Sequence, residues 1–386
     1  MKKLSMVCIM LAGFGFLMVP ADLEAVPAFA RKHQLACIQC HSAWPLLNKF
    51  GRTFKENGYR LDRAPQAASP QGDVVIDDRL VLPRALPMSF RVHGRPIVKR
   101  NTDAHYSMQV VHEFDLHVAD SAAGNYSYFG KFNAEDSEGW AVELANIVAG
   151  WHPLVQANFV GGYGQLTFAD PFNTFPSSRR LTQDRPSPNA SGFQSGYRFR
   201  DETPFATFYG RAGQLFYSAS AGTGAGDPVG ADRKDYLVRA AYDLPGGASI
   251  GAFSLIGQKQ LAQPARIQEY SRTGVDLQLD SHGFTANALW YRAKEDLATT
   301  LVNQKNSAWY FQTLYVTPTA IPVVPLFRYE SVESNSGLAS TQSVALALMA
   351  YVRANINVSI DYTKQTRVPP GRSKSNRFSV LFMFTM

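Results

Sequence analysis

From Leu86 to Met386 the chain is built from one segment of alternating polarity after another. The segments are about 8–16 residues long, and turns rich in Gly, Pro, Asp, Asn and Ser separate them. In FRVHGRPIV, for example, Phe90 and Val92 alternate with Arg91 and His93. A period of two residues indicates a β-strand with one apolar face and one polar face. The chain is therefore predicted to fold mainly as antiparallel β-structure.

These strands are predicted to cross a membrane as an all-β barrel. After the first 25 residues no segment is apolar enough for a transmembrane helix, so any crossing would be by strands. Only 18% of the residues are charged, whereas soluble domains carry roughly 25%. A transmembrane barrel has such a composition because only every second strand residue faces lipid. The alternative is a soluble all-β protein such as a propeller, but the chain has no internal repeat of about 40–50 residues.

About sixteen antiparallel strands are predicted, because single-chain bacterial barrels contain an even number. One candidate is in excess, and the two short ones within 192–211 are open to assignment as loop. Four tryptophans, Trp140, Trp151, Trp290 and Trp309, lie near candidate strand ends, where aromatic girdles form. The candidates lie near 88–98, 105–118, 125–135, 138–150, 154–168, 192–200, 204–211, 213–221, 234–244, 248–260, 267–280, 283–294, 307–318, 321–332, 342–353 and 355–366 or 376–386.

The last ten residues, RFSVLFMFTM, show the sharpest strand pattern. One face carries Phe378, Phe382 and Phe384, and the other carries Ser379. A strand that runs to the chain terminus resembles the terminal strand of bacterial outer-membrane barrels. That strand usually ends in an aromatic residue, and here Met386 takes its place.

Residues 1–25 are predicted to be a secretory signal peptide. Two lysines precede a short apolar stretch from Leu4 to Val19, and Ala21 and Ala25 are candidate cleavage positions. The alternative is an uncleaved anchor helix, but the apolar stretch is shorter than the roughly 20 residues that span a bilayer. Export together with membrane-crossing strands predicts a location in the bacterial outer membrane.

The motif C-x-x-C-H follows the predicted signal peptide, at Cys37, Cys40 and His41. It is the attachment motif of c-type haem, in which two thiols add across the two vinyl groups of one porphyrin. The histidine that follows is placed to bind the iron from the proximal face. One covalent haem c is therefore predicted, bound by Cys37, Cys40 and His41, with His41 as the metal ligand.

Two other uses of a C-x-x-C pair are a redox dithiol and half of a zinc site. A thioredoxin-like dithiol needs a βαβ context, and none surrounds this motif. A zinc site needs a second Cys/His pair, but the one remaining cysteine, Cys8, lies in the predicted signal peptide. Export also matches the compartment in which haem c is attached.

The residues after the motif predict a small helical module. Trp44, Leu47, Phe50 and Phe54 recur at helical spacing, which gives an apolar face that could pack on a porphyrin. The alternative is an ordinary helix core. Asn57-Gly58 is a helix stop signal.

Four regions follow from these patterns. They are a signal peptide at 1–25, an α-helical monohaem cytochrome c module at 26–62, a linker at 63–85 rich in Pro, Ala, Ser and Gln, and a porin-like β-barrel at 86–386.

The sixth ligand of the haem iron is open at this point. His33 lies four residues before Cys37, and Met88 is a possible thioether ligand, although its parity with Phe90 would face it to lipid. His93 and His117 have the opposite parity and would face inward. A vacant or water-bound position is the remaining possibility.

The longest irregular stretch runs from Ala169 to Gly192 and contains Arg179, Arg180 and Arg185. It is too long for a turn, so it is either an extracellular loop or a constriction loop folded into the pore. The plainer alternative is a solvated loop.

The N-terminal segment resembles the fused monohaem cytochrome–porin family of bacterial outer membranes, whose best-known members are outer-membrane Fe(II) oxidases. The pattern is FAR-x(5)-CxxCH followed by PxLNxFGRxFKENGYR, and it covers about thirty-five residues. The matching residues are Phe29, Ala30, Arg31, Cys37, Cys40, His41, Pro45, Leu47, Asn48, Phe50, Gly51, Arg52, Phe54, Lys55, Gly58 and Tyr59.

The resemblance and the barrel together imply a protein that transfers electrons across the outer membrane. The expected donor is extracellular Fe(II) or another reductant, and the expected acceptor is a periplasmic c-type cytochrome. Outward electron export, a solute porin with a haem gate or sensor, and a haem peroxidase remain alternatives. Inward carboxylates such as Glu113 and Asp115 could bind cations, although charged lumen residues are normal in barrels. The net charge is +7, but no basic run with interleaved aromatics predicts nucleic-acid binding.

Overall fold

The computed structural model describes residues 28–61, 74–75, 81–82, 87–101, 103, 105–122, 125–175, 180–191, 193, 195–223, 234–261, 266–296, 303–334 and 339–386. The predicted signal peptide lies outside the described residues, and so does most of the predicted linker. Within that linker, Val74–Val75 and Val81–Leu82 form a two-stranded antiparallel ladder. Among the described residues, no helix is both long and apolar enough to cross a membrane.

Sixteen strands form a closed barrel in which each strand pairs antiparallel with its neighbours in sequence. The strands are β1 (Met88–Arg100), β2 (Ser107–Ala122), β3 (Tyr126–Glu135), β4 (Val142–Trp151), β5 (Asn158–Gly164), β6 (Thr203–Ala212), β7 (Leu215–Thr223), β8 (Lys234–Asp243), β9 (Ala248–Leu261), β10 (Arg266–Ser281), β11 (Phe284–Asp296), β12 (Asn303–Tyr315), β13 (Val323–Ser334), β14 (Ala339–Arg353), β15 (Ile356–Arg367) and β16 (Asn376–Thr385). The prediction of a barrel of about sixteen antiparallel strands is confirmed.

The chain terminus closes the barrel. β16 pairs with β1, and Phe90 and Met386 exchange two backbone hydrogen bonds of 2.8 Å. The alternation predicted for the last ten residues is confirmed, since Ser379 is buried in the lumen whereas Phe378 is exposed on the outside. Closure leaves no free strand edge, which is what a lipid-embedded sheet requires.

The outer surface of the barrel is apolar. Val238, Leu348 and Ile360 are all about half exposed on strands whose alternate residues are buried or partly buried. Of the four tryptophans, only Trp151 lies at a strand end, where it stacks on Phe159 with 5.8 Å between ring centroids.

The other three tryptophans correct the prediction only in part. Trp290 and Trp309 pair directly across the middle of β11 and β12, so their placement near strand ends was wrong. Trp140 lies in the turn two residues before β4, near a strand end as predicted.

The two ends of the barrel differ. Two-residue turns join β6 to β7, β10 to β11 and β14 to β15 at one end, where β1 begins and β16 ends. We call this the short-turn end. The connections at the opposite end, here the loop end, are longer on average, and the longest covers residues 165–202 between β5 and β6. Outer-membrane barrels have the same asymmetry.

The loop at 165–202 folds into the lumen and packs there. Phe172, Phe175 and Phe199 are almost fully buried against inward side chains of the barrel such as Leu255 and Tyr291. The constriction-loop prediction for 169–192 is therefore confirmed for residues 169–175 and 180–191, and the solvated-loop alternative is wrong for them; Arg179 lies outside the described residues.

The candidate strand at 192–200 is also wrong, whereas its neighbour at 204–211 is strand β6. Tyr197 and Phe199 alternate in polarity with Arg198 because residues 195–199 bury every second side chain in the lumen, although this described stretch of the loop pairs with no barrel strand. Since 355–366 and 376–386 are both strands, removal of 192–200 gives sixteen.

Residues 28–61, here called the N-terminal segment, contain three short helices. The helices within the described residues are α1 (Ala28–His33), α2 (Cys37–Cys40), α3 (Lys49–Glu56) and, within the long loop, α4 (Ser187–Ala190). A small antiparallel ladder of His41–Ala43 with Leu46–Leu47 lies between α2 and α3, and single 3-10 turns occupy Asp136–Glu138 and Pro245–Gly247.

Of the four residues predicted at helical spacing, only Phe50 and Phe54 lie in a helix, α3. Trp44 precedes Pro45, and a residue before proline avoids the helical conformation, so this part forms the ladder turn instead. The predicted stop at Asn57-Gly58 is confirmed, since α3 ends at Glu56 and Gly58 adopts φ +68°.

Candidate functional site

The N-terminal segment lies inside the barrel at the short-turn end. Its contacts reach inward-facing residues on strands that are four positions apart around the barrel. Three of them are ion pairs: Lys32 with Asp120 of β2, Glu56 with Arg211 of β6 at 2.8 Å, and Arg52 with Asp280 of β10 at 3.3 Å. The fourth is a hydrogen bond of 2.9 Å that Trp44 N–H donates to the Tyr351 hydroxyl of β14. Contacts on four sides hold the segment across the lumen.

Helix α2 presents the two motif cysteines to one cavity. Cys37 and Cys40 stand three residues apart on a single helical turn, so both side chains lie on the same face. They are thiols with no disulfide between them. Burial raises the pKa of Cys37 and raises the pKa of Cys40 to about 11. A redox dithiol needs a lowered thiol pKa, so this environment does not favour that alternative.

His41 is oriented by the turn that follows it. Its Nδ1 lies 3.2 Å from the Pro45 carbonyl oxygen, and that oxygen also accepts a 3.1 Å hydrogen bond from the Asn173 side-chain amide. A carbonyl oxygen can only accept, so the hydrogen of a neutral ring lies on Nδ1 and the lone pair on Nε2. Metal-binding histidines are commonly oriented in this way. Asn173 comes from the long loop, and nothing in the sequence pointed to it.

Asn48 and Gly51 attach α3 to the motif. The Asn48 side chain accepts from Gly51 N–H at 2.9 Å and donates to the Gln39 carbonyl at 3.0 Å. A Cβ on Gly51 would lie 2.1 Å from the Cys40 carbonyl oxygen, so a residue larger than glycine cannot fit without a shift. Residues that the sequence singled out only by resemblance therefore fix the backbone of the motif.

An aromatic cluster supports the other side of α3. Phe29 stacks on Tyr59 with 4.6 Å between centroids and meets Phe54 edge-on at 5.5 Å. His33 also packs edge-on against Phe54, at 5.3 Å, and burial lowers its pKa.

The cavity beside Cys37, Cys40 and His41 is shared with the barrel wall. The centre of a water molecule can occupy about 290 Å³ of it, within roughly 1850 Å³ of space between atoms that includes its open mouth. The walls on the N-terminal segment are largely apolar, with Phe29, Leu47 and Phe54 among them. The facing wall comes from barrel and loop residues that include Arg91, His117, Phe129, Asn146, Val148, Val160, Phe168 and Tyr209.

Of the four sixth-ligand candidates, only His117 lies on this cavity. It faces inward from β2, as predicted, and its ring lies 6.0 Å from that of Phe129. Among the described residues that line the cavity, neither His33, Met88 nor His93 occurs. Met88 faces outward, because its side of β1 is the outer one.

A second histidine on the cavity, His152, was not a candidate. Its Nε2 lies 2.7 Å from the Ser127 hydroxyl and its Nδ1 lies 2.8 Å from the Tyr209 hydroxyl, which in turn donates to the Glu56 carbonyl at 3.0 Å. Both ring nitrogens are thus engaged, which makes His152 a docking residue for the N-terminal segment. Its position in a turn carries no motif that would have revealed this.

The inward carboxylates Glu113 and Asp115 are fully buried and neutralised. Arg91 lies 2.9 Å from Glu113, Lys131 lies 3.0 Å from Asp115, and Arg180 of the long loop lies 3.8 Å from Glu113. Three cations around two carboxylates leave no negative excess, so the suggested cation site is not supported. Arg91 also lies over the Trp44 ring at 4.8 Å, which links this cluster to the N-terminal segment.

The comparisons with known proteins concern the barrel. No family model and no curated protein sequence matches the chain. Solved structures with a similar fold include OmpT of Vibrio cholerae with loop L8 deleted (TM-score 0.56, 11% identity, 78% of this chain and 99% of that chain). An anion-selective porin from Comamonas acidovorans gives TM-score 0.58 at 10% identity, over 77% of this chain and 98% of that chain.

A third structure is Salmonella typhi OmpF in complex with daunomycin, with TM-score 0.56 and 12% identity over 78% of this chain and 97% of that chain. At such identities the likeness concerns the fold. The chain is therefore similar to outer-membrane porins in the architecture of its closed barrel.

Proposed function

We propose that the chain is an outer-membrane monohaem cytochrome–porin that carries electrons between an extracellular donor, Fe(II), and a periplasmic c-type cytochrome. The observation that supports it most is the position of Cys37, Cys40 and His41 within the barrel lumen, on a cavity that the barrel wall completes. The apolar outer surface and the porin-type fold support an outer-membrane location, with the short-turn end in the periplasm.

The residues present fit a covalent haem c. Cys37 and Cys40 would attach its vinyl groups, and His41 Nε2 would bind its iron from the proximal side. When bound, the group would supply one-electron ferric/ferrous chemistry. The apolar walls would exclude water from it, while the Nδ1 hydrogen bond to the Pro45 carbonyl would keep the His41 ring in place.

Placement inside the barrel eases a difficulty of the electron-transfer hypothesis. A single haem beside the pore could not bridge a hydrocarbon core roughly 30 Å thick. A segment held within the short-turn end of the lumen sets the cavity inside the barrel, so the distance still to be crossed is the one between the cavity and the loop end. At the same time, the long loop fills the lumen with buried aromatic and aliphatic side chains, so a packed medium replaces the water channel of an open porin.

The solute-porin alternative receives less support for this reason. Sixteen-stranded porins leave an aqueous channel, whereas Phe172, Phe175 and Phe199 occupy this lumen. The direction of electron flow is not encoded in the fold, so outward export is the second candidate and is distinguished by experiment alone.

The decisive experiment uses purified protein in detergent, mixed anaerobically with Fe(II) and followed by stopped-flow absorbance. We expect a c-type spectrum whose ferrous α-band appears rapidly. His41→Ala should abolish the response, whereas His282→Ala, an exposed histidine in a turn at the same end, should leave it intact. Protein without any haem spectrum would overturn the proposal. A normal spectrum that ignores Fe(II) but responds to other donors would discard iron oxidation.

The direction of electron flow and the permeability of the barrel to small solutes are tested in liposomes. Protein inserted in vesicles that contain a soluble c-type cytochrome should reduce it when Fe(II) is added outside. The same vesicles should show no swelling in small sugars, and rapid swelling would instead support the solute porin.

A further inference from the structure

The loop end of the lumen contains a second cavity, separate from the one beside the motif cysteines. The centre of a water molecule can occupy about 460 Å³ of it. Its wall is polar and combines the long loop with the upper parts of β1 and β13 to β16. The charged residues that line it are Arg100, Arg180, Arg185, Arg377, Asp184 and Glu330.

The two carboxylates of this wall already have cationic partners. Asp184 pairs with Arg377, and Glu330 accepts a 3.0 Å hydrogen bond from Arg328, a buried residue outside the wall. The cavity is therefore electropositive, with Arg100 and Arg180 adding positive charge that these pairs do not offset.

Arg180 is a buried and only partly compensated arginine. Its side chain is only 10% exposed, and its ion pair with Oε2 of Glu113 is long, at 3.8 Å, while Oε1 of the same carboxylate accepts from Arg91 at 2.9 Å. Burial lowers the pKa of the Arg180 guanidinium below its usual value. A buried cation in this situation gains from any anion placed beside it.

Three buried donors on the wall lack acceptors. Nε of Arg180, Nε of Arg377 and the Thr363 hydroxyl each have no hydrogen-bond partner within the described part of the chain. Buried polar groups in folded proteins are nearly always satisfied. A ligand in the cavity that offers several anionic oxygens would satisfy these donors after a small rotation of their side chains.

We propose that this loop-end cavity binds a small multivalent anion that bears carboxylate or phosphate oxygens. Planar guanidinium groups recognise such oxygens through charge-assisted, often bidentate hydrogen bonds. The anion is either a free oxyanion or the carboxylate chelator of a metal ion. One consequence rests on the proposed electron transfer. If iron is the electron donor, this positively charged site would bind it as an anionic chelate and not as the bare Fe(II) cation.

Isothermal titration of the full-length, haem-loaded protein in detergent tests the site directly, with citrate and inorganic phosphate as probes and chloride as background. Saturable binding of citrate or phosphate is expected. Arg180→Gln should weaken Kd roughly ten- to a hundredfold, since it removes a hydrogen bond to a charged group. Thr363→Val, which removes a hydroxyl at nearly constant shape, should weaken it about fivefold and guards against misfolding of the arginine variant.

Arg372→Gln is the matched control, because Arg372 is exposed in the connection between β15 and β16 and does not line the cavity. Absence of citrate and phosphate binding to the wild type, or equal weakening by Arg372→Gln, would overturn the proposal.

Stopped flow with Fe(II)–citrate and with aqueous Fe(II) separates the two sources. Haem reduction that is faster with the chelate, at chelate concentrations below Kd, and about fivefold slower in Thr363→Val identifies the anion as the chelator; equal rates with intact citrate binding identify a free oxyanion. Haem that ignores both iron forms while citrate still binds would remove the proposed function and leave the anion site. If iron reduces the haem but citrate does not bind, the proposed function would stand and the anion site would be removed.

Discussion

Gly58→Ala should loosen the N-terminal segment from the barrel. Gly58 adopts φ +68°, and a Cβ there would lie 2.3 Å from Cδ2 of His152. The imidazole cannot simply turn aside, because hydrogen bonds to Ser127 at 2.7 Å and to Tyr209 at 2.8 Å hold both of its nitrogens. The substitution therefore forces either the segment or the ring to move.

The expected cost has two parts. Left-handed backbone strain in alanine contributes about 1 kcal/mol. Displacement of the ring forfeits two hydrogen bonds, at about 1 kcal/mol each. The sum of about 3 kcal/mol corresponds to a roughly hundredfold increase in the fraction of molecules with an undocked segment.

Limited proteolysis of the folded protein in detergent measures this fraction, provided that closing is faster than cleavage. Cleavage within residues 28–61 should accelerate roughly a hundredfold in Gly58→Ala while the barrel stays intact. Gly139→Ala is the matched control, since Gly139 has φ +65° and nothing within 4 Å of its Cβ position. It should leave cleavage of the segment unchanged.

A double-mutant cycle with His152→Ala isolates the contact. Removal of the ring relieves the collision, so the double variant should lose less than the sum of the two single losses, by about 2 kcal/mol. If the docking free energies lost in the two single variants simply add in the double variant, the docking geometry is refuted. It is also refuted if Gly58→Ala costs no more than the backbone strain of about 1 kcal/mol.

Three further changes probe the same region. His117→Ala should alter the haem absorption and EPR spectra, whereas His93→Ala should not, because of the two only His117 lines the cavity. Arg211→Ala leaves Glu56 part-buried without its bidentate partner and should cost about 2 kcal/mol of docking in the proteolysis assay. Gly51→Ala places a Cβ against the motif backbone and should lower the haem-to-protein ratio after export, measured by pyridine haemochrome.

The barrel was predictable because a period of two runs through most of each strand, although it breaks in β2, where Val110 and Val111 are both exposed and His112 and Glu113 are both buried. Each strand must separate a lipid-facing face from a lumen face, so its residues record the pairing even without knowledge of the neighbours. The pattern failed at 192–200 because a loop packed in a lumen also buries alternate side chains, as Tyr197 and Phe199 do. Alternation reports burial and not hydrogen bonding.

The site was predictable only where its chemistry fixes residue spacing. Cys37, Cys40 and His41 were found because one porphyrin dictates their separation, and their role stays a prediction. His152 and Asn173 escaped notice, since each acts through partners far away in the sequence and lies outside the regular elements. No local pattern distinguishes a docking histidine from any other histidine in a turn.

The residue pattern of the strands nevertheless indicates that the lumen is filled. In an open porin the lumen face is polar, but several strands here are apolar on both faces. Leu237 points inward beside outward Val238, and Leu255, Leu289 and Val324 also point inward with at most 1% exposure. Such residues would be costly against water, at about 25 cal/mol for each Å² exposed, so they require a packed interior. A strand with apolar residues on both faces therefore predicts a barrel whose lumen is at least partly filled.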